Sequence, residues 1–252
     1  MAEEVEEYIS KQKEKPTVEM LEEFRDDFSD SIILSDQFLV ILALTGSRDS
    51  VQLEGYFETE EELTEFADLM NRYGVNCYID RSLDREESTV HSISSMISDQ
   101  EAKSEMQKFT EASIICNIFL DHGDSSVEQV ERIASLRNDM SSEYHRLFGQ
   151  FLNYPERDID SFIYKQKSDW KKKLLKLLGR DDPGLILAGK AAEKYGEDLS
   201  LQDKRTLNCF IDHGIQDTEE SFESTLDTAR ERRNVLEEFM DVDELLEEVF
   251  YD

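Results

Sequence analysis

Cysteine, proline and glycine are scarce: 3, 3 and 10 in 252 residues. Cys77, Cys116 and Cys209 are too few and too widely spaced for a disulfide framework. So little glycine and proline excludes collagen-like and linker-like chains. Long apolar runs are missing as well. The longest is Phe38 to Leu44, far short of the ~20 residues that cross bilayer hydrocarbon, so no membrane span is expected. The opening Met-Ala-Glu-Glu-Val-Glu-Glu has neither the basic start nor the apolar centre of a signal peptide, and the expected location is cytoplasmic. Sequence signatures of catalysis are absent too: there is no Gly-x-Ser-x-Gly elbow, Gly-x-Gly-x-x-Gly turn, His-Glu-x-x-His pair or EF-hand loop. No cofactor is expected.

Basic residues are few, 28 against 59 acidic, for a net charge of −31. The chain is nevertheless 38% hydrophobic and contains 14 Phe. A disordered acidic chain would lack the apolar surface to offset its conformational entropy, so a packed core is expected. Acid recurs from Glu3 to Asp252 among regularly spaced apolar residues, which does not fit an acidic tail. Mimicry of nucleic-acid phosphates would need the carboxylates on one face. A salt-rich cytoplasm accounts for the even spread, because molar salt shortens the Debye length to roughly 3 Å and makes a dense carboxylate surface tolerable.

Periodicity predicts an α+β fold, with an α/β-type first half built on a small sheet and a mostly helical second half. Residues 1–30 read as two acidic helices, one carrying Val5, Tyr8 and Ile9, the other capped by Thr17 and carrying Met20, Leu21, Phe24 and Phe28. Residues 31–123 read as an α/β domain. In it Phe38–Leu44 reads as a buried strand, joined through a hairpin at Gly46–Asp49 to a second strand at Val51–Phe57. Thr59 and Glu62 form a capping box for a helix ending at Gly74, followed by a strand at Val75–Ile79. Ser98 and Glu101 form another box ahead of a strand at Ser113–Leu120; residues 86–97 fit helix and strand equally. Residues 124–252 read as predominantly helical, with helices near 127–152, 157–179, 185–195, 218–239 and 241–251 and a short strand at Thr206–Ile211.

Four constellations bear on chemistry. Gly184–Ala191 resembles a phosphate-binding loop, but Ala191 lacks the magnesium-binding hydroxyl and no apolar strand precedes it. Phe119-Leu-Asp-His-Gly123 is echoed by Phe210-Ile-Asp-His-Gly214, each read as a strand-to-helix turn in which glycine supplies an unusual backbone angle. Cys116, His122, Cys209 and His213 around these turns are candidate metal ligands, though their spacing departs from zinc-finger pairs. Asp121 and Asp212 stand beside the two histidines as possible orienting groups. The compositional outlier is Lys165 to Arg180, with seven basic residues and one acid, net +6, in a chain otherwise at −37. Trp170, Leu174, Leu177 and Leu178 share one helical face there, and Lys165, Lys167, Lys171, Lys172, Lys173, Lys176 and Arg180 supply the charge. Such a helix suits nucleic-acid backbone or an acidic protein, with Tyr164 and Trp170 available for stacking, or it lies against the chain's own acidic surface.

Tyr144-His-Arg-Leu-Phe-Gly-Gln-Phe-Leu-Asn-Tyr-Pro-Glu156, followed by Arg157, Asp158, Ile159 and Phe162, resembles a segment of an archaeal family of unknown function. That family carries a glycine-tyrosine-proline motif followed by paired cysteines, and later a histidine-x-proline-cysteine motif. Asn153 stands in place of the glycine, Arg157 and Asp158 in place of the paired cysteines. His213 matches the later histidine, and Gln216 occupies the last cysteine position. The resemblance brings no activity with it, and any metal held by the family's cysteines would not be held here. The leading expectation is a non-enzymatic protein that binds an anionic partner, nucleic acid or acidic protein, through residues 164–180. The alternative is an enzyme or metal-binding protein centred on the two Asp-His-Gly turns.

Overall fold

A computed structural model of the chain describes residues 5–8, 14–81, 112–123, 125–137, 140–167 and 185–250. The fold is α+β. Two compact units divide the chain: residues 1–135 with 239–252, and residues 136–238.

The first unit is organised by an antiparallel sheet of strands β1 (Glu6–Tyr8), β2 (Ser50–Phe57), β3 (Asn76–Asp80) and β4 (Ile114–Asp121), in the order β1-β3-β4-β2. Val51 pairs with Leu120 and Leu53 with Ile118; Ile79 also pairs with Ile118, so β4 is bonded on both edges. Three helices lie between these strands in sequence: α1 (Val18–Asp27), α2 (Leu34–Leu44) and α3 (Glu60–Arg72). Hydroxyl caps start two of them. Thr17 Oγ1 accepts the Met20 N–H at 3.3 Å, and Thr59 Oγ1 accepts the Glu62 N–H at 3.2 Å. The Glu62 carboxylate reaches back past the cap to the Glu58 N–H, one residue further than the reciprocal box requires. Phe24 and Phe28 on α1 meet Phe66 on α3, with ring centroids 6.4 and 5.4 Å away, and Phe57 on β2 closes against Phe66 at 5.7 Å. Helical spacing of 20, 21, 24 and 28 puts these α1 side chains on one buried face.

Two expectations for this unit are corrected. The segment Val5–Tyr8 is extended, not helical: Glu6, Glu7 and Tyr8 pair with Ile79, Tyr78 and Cys77 on the open edge of β3. Backbone groups on that edge need partners, and this decides a stretch too short to nucleate a helix alone. The apolar run Phe38–Leu44 is helical, not a strand, and no hairpin follows it. Phe38, Val40, Ile41, Leu42, Ala43 and Leu44 are all buried because α2 packs on β2 and β4 and also on α10 (Val242–Phe250), the last described helix. A helix covered on several sides is apolar all round and loses the amphipathic period that distinguishes it from a buried strand. Gly46, at φ +71°, lets the chain leave α2 and turn into β2.

Helix α4 (Val127–Leu136) follows β4, and Ser126 provides its cap, accepting the Gln129 N–H. The long helix expected over 127–152 is two. Met140 has φ +43°, and Ser141 caps α5 (Ser142–Phe151), which opens the second unit's described helices. Asn153, at φ +56°, and Pro155 turn the chain into α6 (Glu156–Lys167). A Cβ on Gly149 would sit 2.8 Å from Ile159 Cγ1, so glycine permits the close approach of α5 and α6. Residues 185–195 are not one helix: β5 (Leu185–Leu187) pairs antiparallel with β6 (Gly214–Gln216) before α7 (Ala188–Tyr195) begins. Thr206–Ile211 is not a strand, because Ser200 caps α8 (Leu201–Phe210), and Thr206, Leu207 and Phe210 are buried at helical spacing. Thr218 then caps the long α9 (Glu219–Glu237), which packs on α8, α7 and β6.

The two Asp-His-Gly segments therefore occupy different settings. The first ends β4, whereas the second leads from α8 into β6. Among the described residues the left-handed glycines are Gly46 and Gly74, so neither turn relies on glycine's conformational freedom. The expected boxes and elements at residues 86–101 lie outside the described residues.

Phe38 is 1% exposed within the α2 contact layer. Phe38→Ala is expected to lower stability by about 3–5 kcal/mol, read as a lower urea midpoint with an unchanged slope.

Candidate functional site

In the second unit α5, α6, β5 and the Asp212-His213-Gly214 turn enclose a cavity of about 370 Å³. That volume lies at the small end of ligand sites, which span roughly 300–1,000 Å³. Helical spacing assembles the walls. Tyr144 and Phe148, four apart on α5, stack with centroids 5.5 Å apart and planes 12° from parallel. Asp158 and Phe162, four apart on α6, face the same space, and Phe162 meets the His145 ring edge-on at 4.9 Å. Ile159, Leu185 and Leu187 add aliphatic surface. Met140 and Leu187 line the cavity and remain 58% and 62% exposed, unusual for apolar side chains in this chain.

The polar groups of the site are concentrated at one place. Tyr154 stacks on His213 with centroids 4.3 Å apart. The Asp158 side chain is 1% exposed; its Oδ1 accepts the Gln216 N–H at 2.8 Å, and its Oδ2 lies 3.5 Å from His213 Nε2. Asp212 Oδ1 is 3.9 Å from Nδ1 of the same ring. These separations suit charge attraction but not hydrogen bonding: neither ring nitrogen of His213 nor Oδ2 of Asp158 has a hydrogen-bond partner. Burial works to lower the His213 pKa, but Asp158 and Asp212 outweigh it, and the net effect is a raised value. His145 behaves oppositely, since burial holds its pKa below the ordinary value despite a backbone contact at Met140. Burial also raises the Tyr144 phenol. The cavity thus presents an imidazole of raised pKa between two carboxylates, set among largely aromatic and aliphatic walls.

Of the residues singled out from sequence, His213 lies at this site. Asp212, beside it in sequence, is the more distant of its two carboxylates; Asp158, 55 positions away, is the closer. Tyr164 on α6 is exposed, and Lys165 Nζ donates to the Leu185 carbonyl at 3.4 Å. Lys167 ends α6. Trp170, Lys171, Lys172, Lys173, Lys176 and Arg180 lie outside the described residues. Cys116 and His122 belong to the first unit, Cys209 and His213 to the second. Cys116 is buried on β4 near the Gly55 carbonyl, its thiol pushed up to about 12 mainly by burial. His122 Nε2 meets the Ala43 carbonyl, and Asp121 accepts the Ser125 N–H. Cys209 is on α8. Among the described residues no three His, Cys, Asp or Glu side chains are grouped so as to hold a metal ion.

Tyr154 covers His213, and Asp158 binds the backbone of Gln216. The cavity walls at Tyr144, His145 and Phe148 carried no recognised motif; their signal was the aromatic pair at i and i+4. No protein-family model, no curated protein and no solved structure matches the chain.

The raised His213 pKa fixes the sign of a pH dependence. An unfolded histidine titrates near 6.5, so the pair's stabilising effect is complete below about pH 6.5 and fades as pH rises through the higher folded-state value. NMR titration of the His213 ring is expected to give a pKa above that of an exposed histidine, and Asp158→Asn should lower it. A wild-type value at or below 6.5 contradicts the described charge contacts.

Proposed function

We propose that the second unit is a binding module for a small, largely apolar aromatic molecule. The observation that carries this reading is the juxtaposition of an aromatic cavity with a buried His213–Asp158 pair whose facing atoms, His213 Nε2 and Asp158 Oδ2, have no hydrogen-bond partner. Apolar walls supply affinity through area removed from water, and a few convergent polar groups set orientation. Parallel and edge-on ring pairs in the walls favour a flat ligand, which can continue either geometry. The pair acts as a positioning device: His213 is held by Tyr154 on one face and by carboxylates at both nitrogens.

Binding is testable with a fluorescent flat probe, 2-naphthol, titrated into the full chain. Saturable one-to-one binding is expected. Leu187→Trp and Met140→Trp, at exposed lining positions, should weaken it about tenfold or more, a loss of roughly 1.4 kcal/mol, with little change in melting temperature. Absence of saturable binding overturns the reading.

A second reading rests on charge. The net +6 of residues 165–180 within a chain otherwise at −37 supports contact with an anionic partner, nucleic acid foremost or an acidic protein surface. Replacing Lys171, Lys172 and Lys173 by Glu should abolish retention on RNA or single-stranded DNA and flatten the salt dependence of binding. Unchanged retention removes this reading's basis.

A further inference from the structure

We infer that the ligand of the second unit's cavity carries a neutral hydroxyl on its aromatic body, bridging His213 and Asp158. The inference rests on the small-aromatic reading and specifies its chemistry. His213 Nε2 and Asp158 Oδ2 stand 3.5 Å apart, both buried and neither hydrogen-bonded. Leaving such groups unmet in the interior is costly, the more so where they are charged. One inserted atom that both accepts from the imidazole N–H and donates to the carboxylate satisfies the two together. A hydroxyl oxygen does this.

The surrounding charge selects against the other common polar groups. A ligand carboxylate would join Asp158 and Asp212 as a third anion around one imidazole, with no guanidinium or ammonium among the described lining side chains to balance it. A ligand ammonium would bring a further cation to an imidazole whose pKa the neighbouring carboxylates already raise. An apolar ligand leaves both groups as they are. Apart from Asp212 beside His213 and His145 on α5, the rest of the described lining is largely aromatic and aliphatic, so a single polar atom at one end of a one- or two-ring body matches the distribution of chemistry in the cavity.

Three probes of nearly equal shape separate the possibilities: 2-naphthol, 2-methylnaphthalene and 2-naphthoate, titrated by their own fluorescence into the full chain at neutral pH. 2-Naphthol is expected to bind about tenfold or more tightly than either, the ratio for newly made hydrogen bonds to charged groups. His213→Phe keeps a ring against Tyr154 and should erase the preference for naphthol over methylnaphthalene. Asp158→Asn provides an independent variant should His213→Phe fold poorly, and should also reduce the preference. Equal binding of naphthol and methylnaphthalene overturns the hydroxyl inference but leaves the cavity as an aromatic site. Tightest binding of naphthoate overturns it in favour of an anion site. Failure of all three to bind overturns the cavity reading itself.

Discussion

A carboxylate withdrawn from water must recover its lost hydration from neighbouring donors and charges, and in the second unit that carboxylate is Asp158. One oxygen is satisfied by the backbone N–H of Gln216, which ties α6 to β6. The other faces His213, which Tyr154 covers. These contacts bring together residues from α6, the α5–α6 connection and the segment that leads into β6. The cavity exists where they do because the helix pair and the two-stranded sheet are drawn together at this point, with Gly149 allowing α5 and α6 to approach closely. The same carboxylate, with Asp212, raises the imidazole's pKa against the pull of burial. Structure and electrostatics of the site thus depend on one side chain.

The acidic composition has an architectural counterpart. Asp and Glu occupy the first turn of α1, α2, α3, α4, α5, α6, α8, α9 and α10, where the helix macrodipole and unpaired N–H groups favour negative charge. Side-chain oxygens of Thr17, Thr59, Ser126, Ser141, Ser200, Thr218 and Asp241 cap seven of these nine starts. Acid placed this way is stabilising locally even while the summed charge repels. Basic residues serve in specific pairs, as where Arg81 meets Glu6 and Glu60 across the β1 edge, and Arg233 lies buried beside Glu237. Asp36 stands apart: burial lifts its carboxyl to about 7 although it accepts the Glu54 N–H.

How legible each element was in sequence follows from how local its cause is. Thr17 and Thr59 marked helix starts correctly because a cap is decided within three residues. Helix α3 was legible from the stripe Leu63, Phe66, Ala67 and Met70, and strands β2 and β4 from their alternation and apolar density. Failures share a physical origin. Phe38–Leu44 became a helix because covering elements, including the distant α10, made every side of it interior. Glu6–Tyr8 became a strand because β3 offered an open edge. Thr206–Ile211 looked strand-like only while its burial partners on α9 were unknown. At the candidate site His213 stood out by type, but its partner Asp158 sits 55 residues earlier in a chain full of carboxylates.

From the sequence alone come the acidic character, the aromatic-rich core, the α+β class and most helix starts. These depend on composition and on contacts within a turn or two of chain. Tertiary structure decided which of many acidic residues is buried against an imidazole, which apolar run is a helix, and which of two identical Asp-His-Gly triplets faces a cavity. Those choices arise from burial and from charge pairing between segments far apart in the chain. Because desolvation and Coulomb attraction depend on distance in space, equal tripeptides acquire unequal chemistry only after the chain has packed.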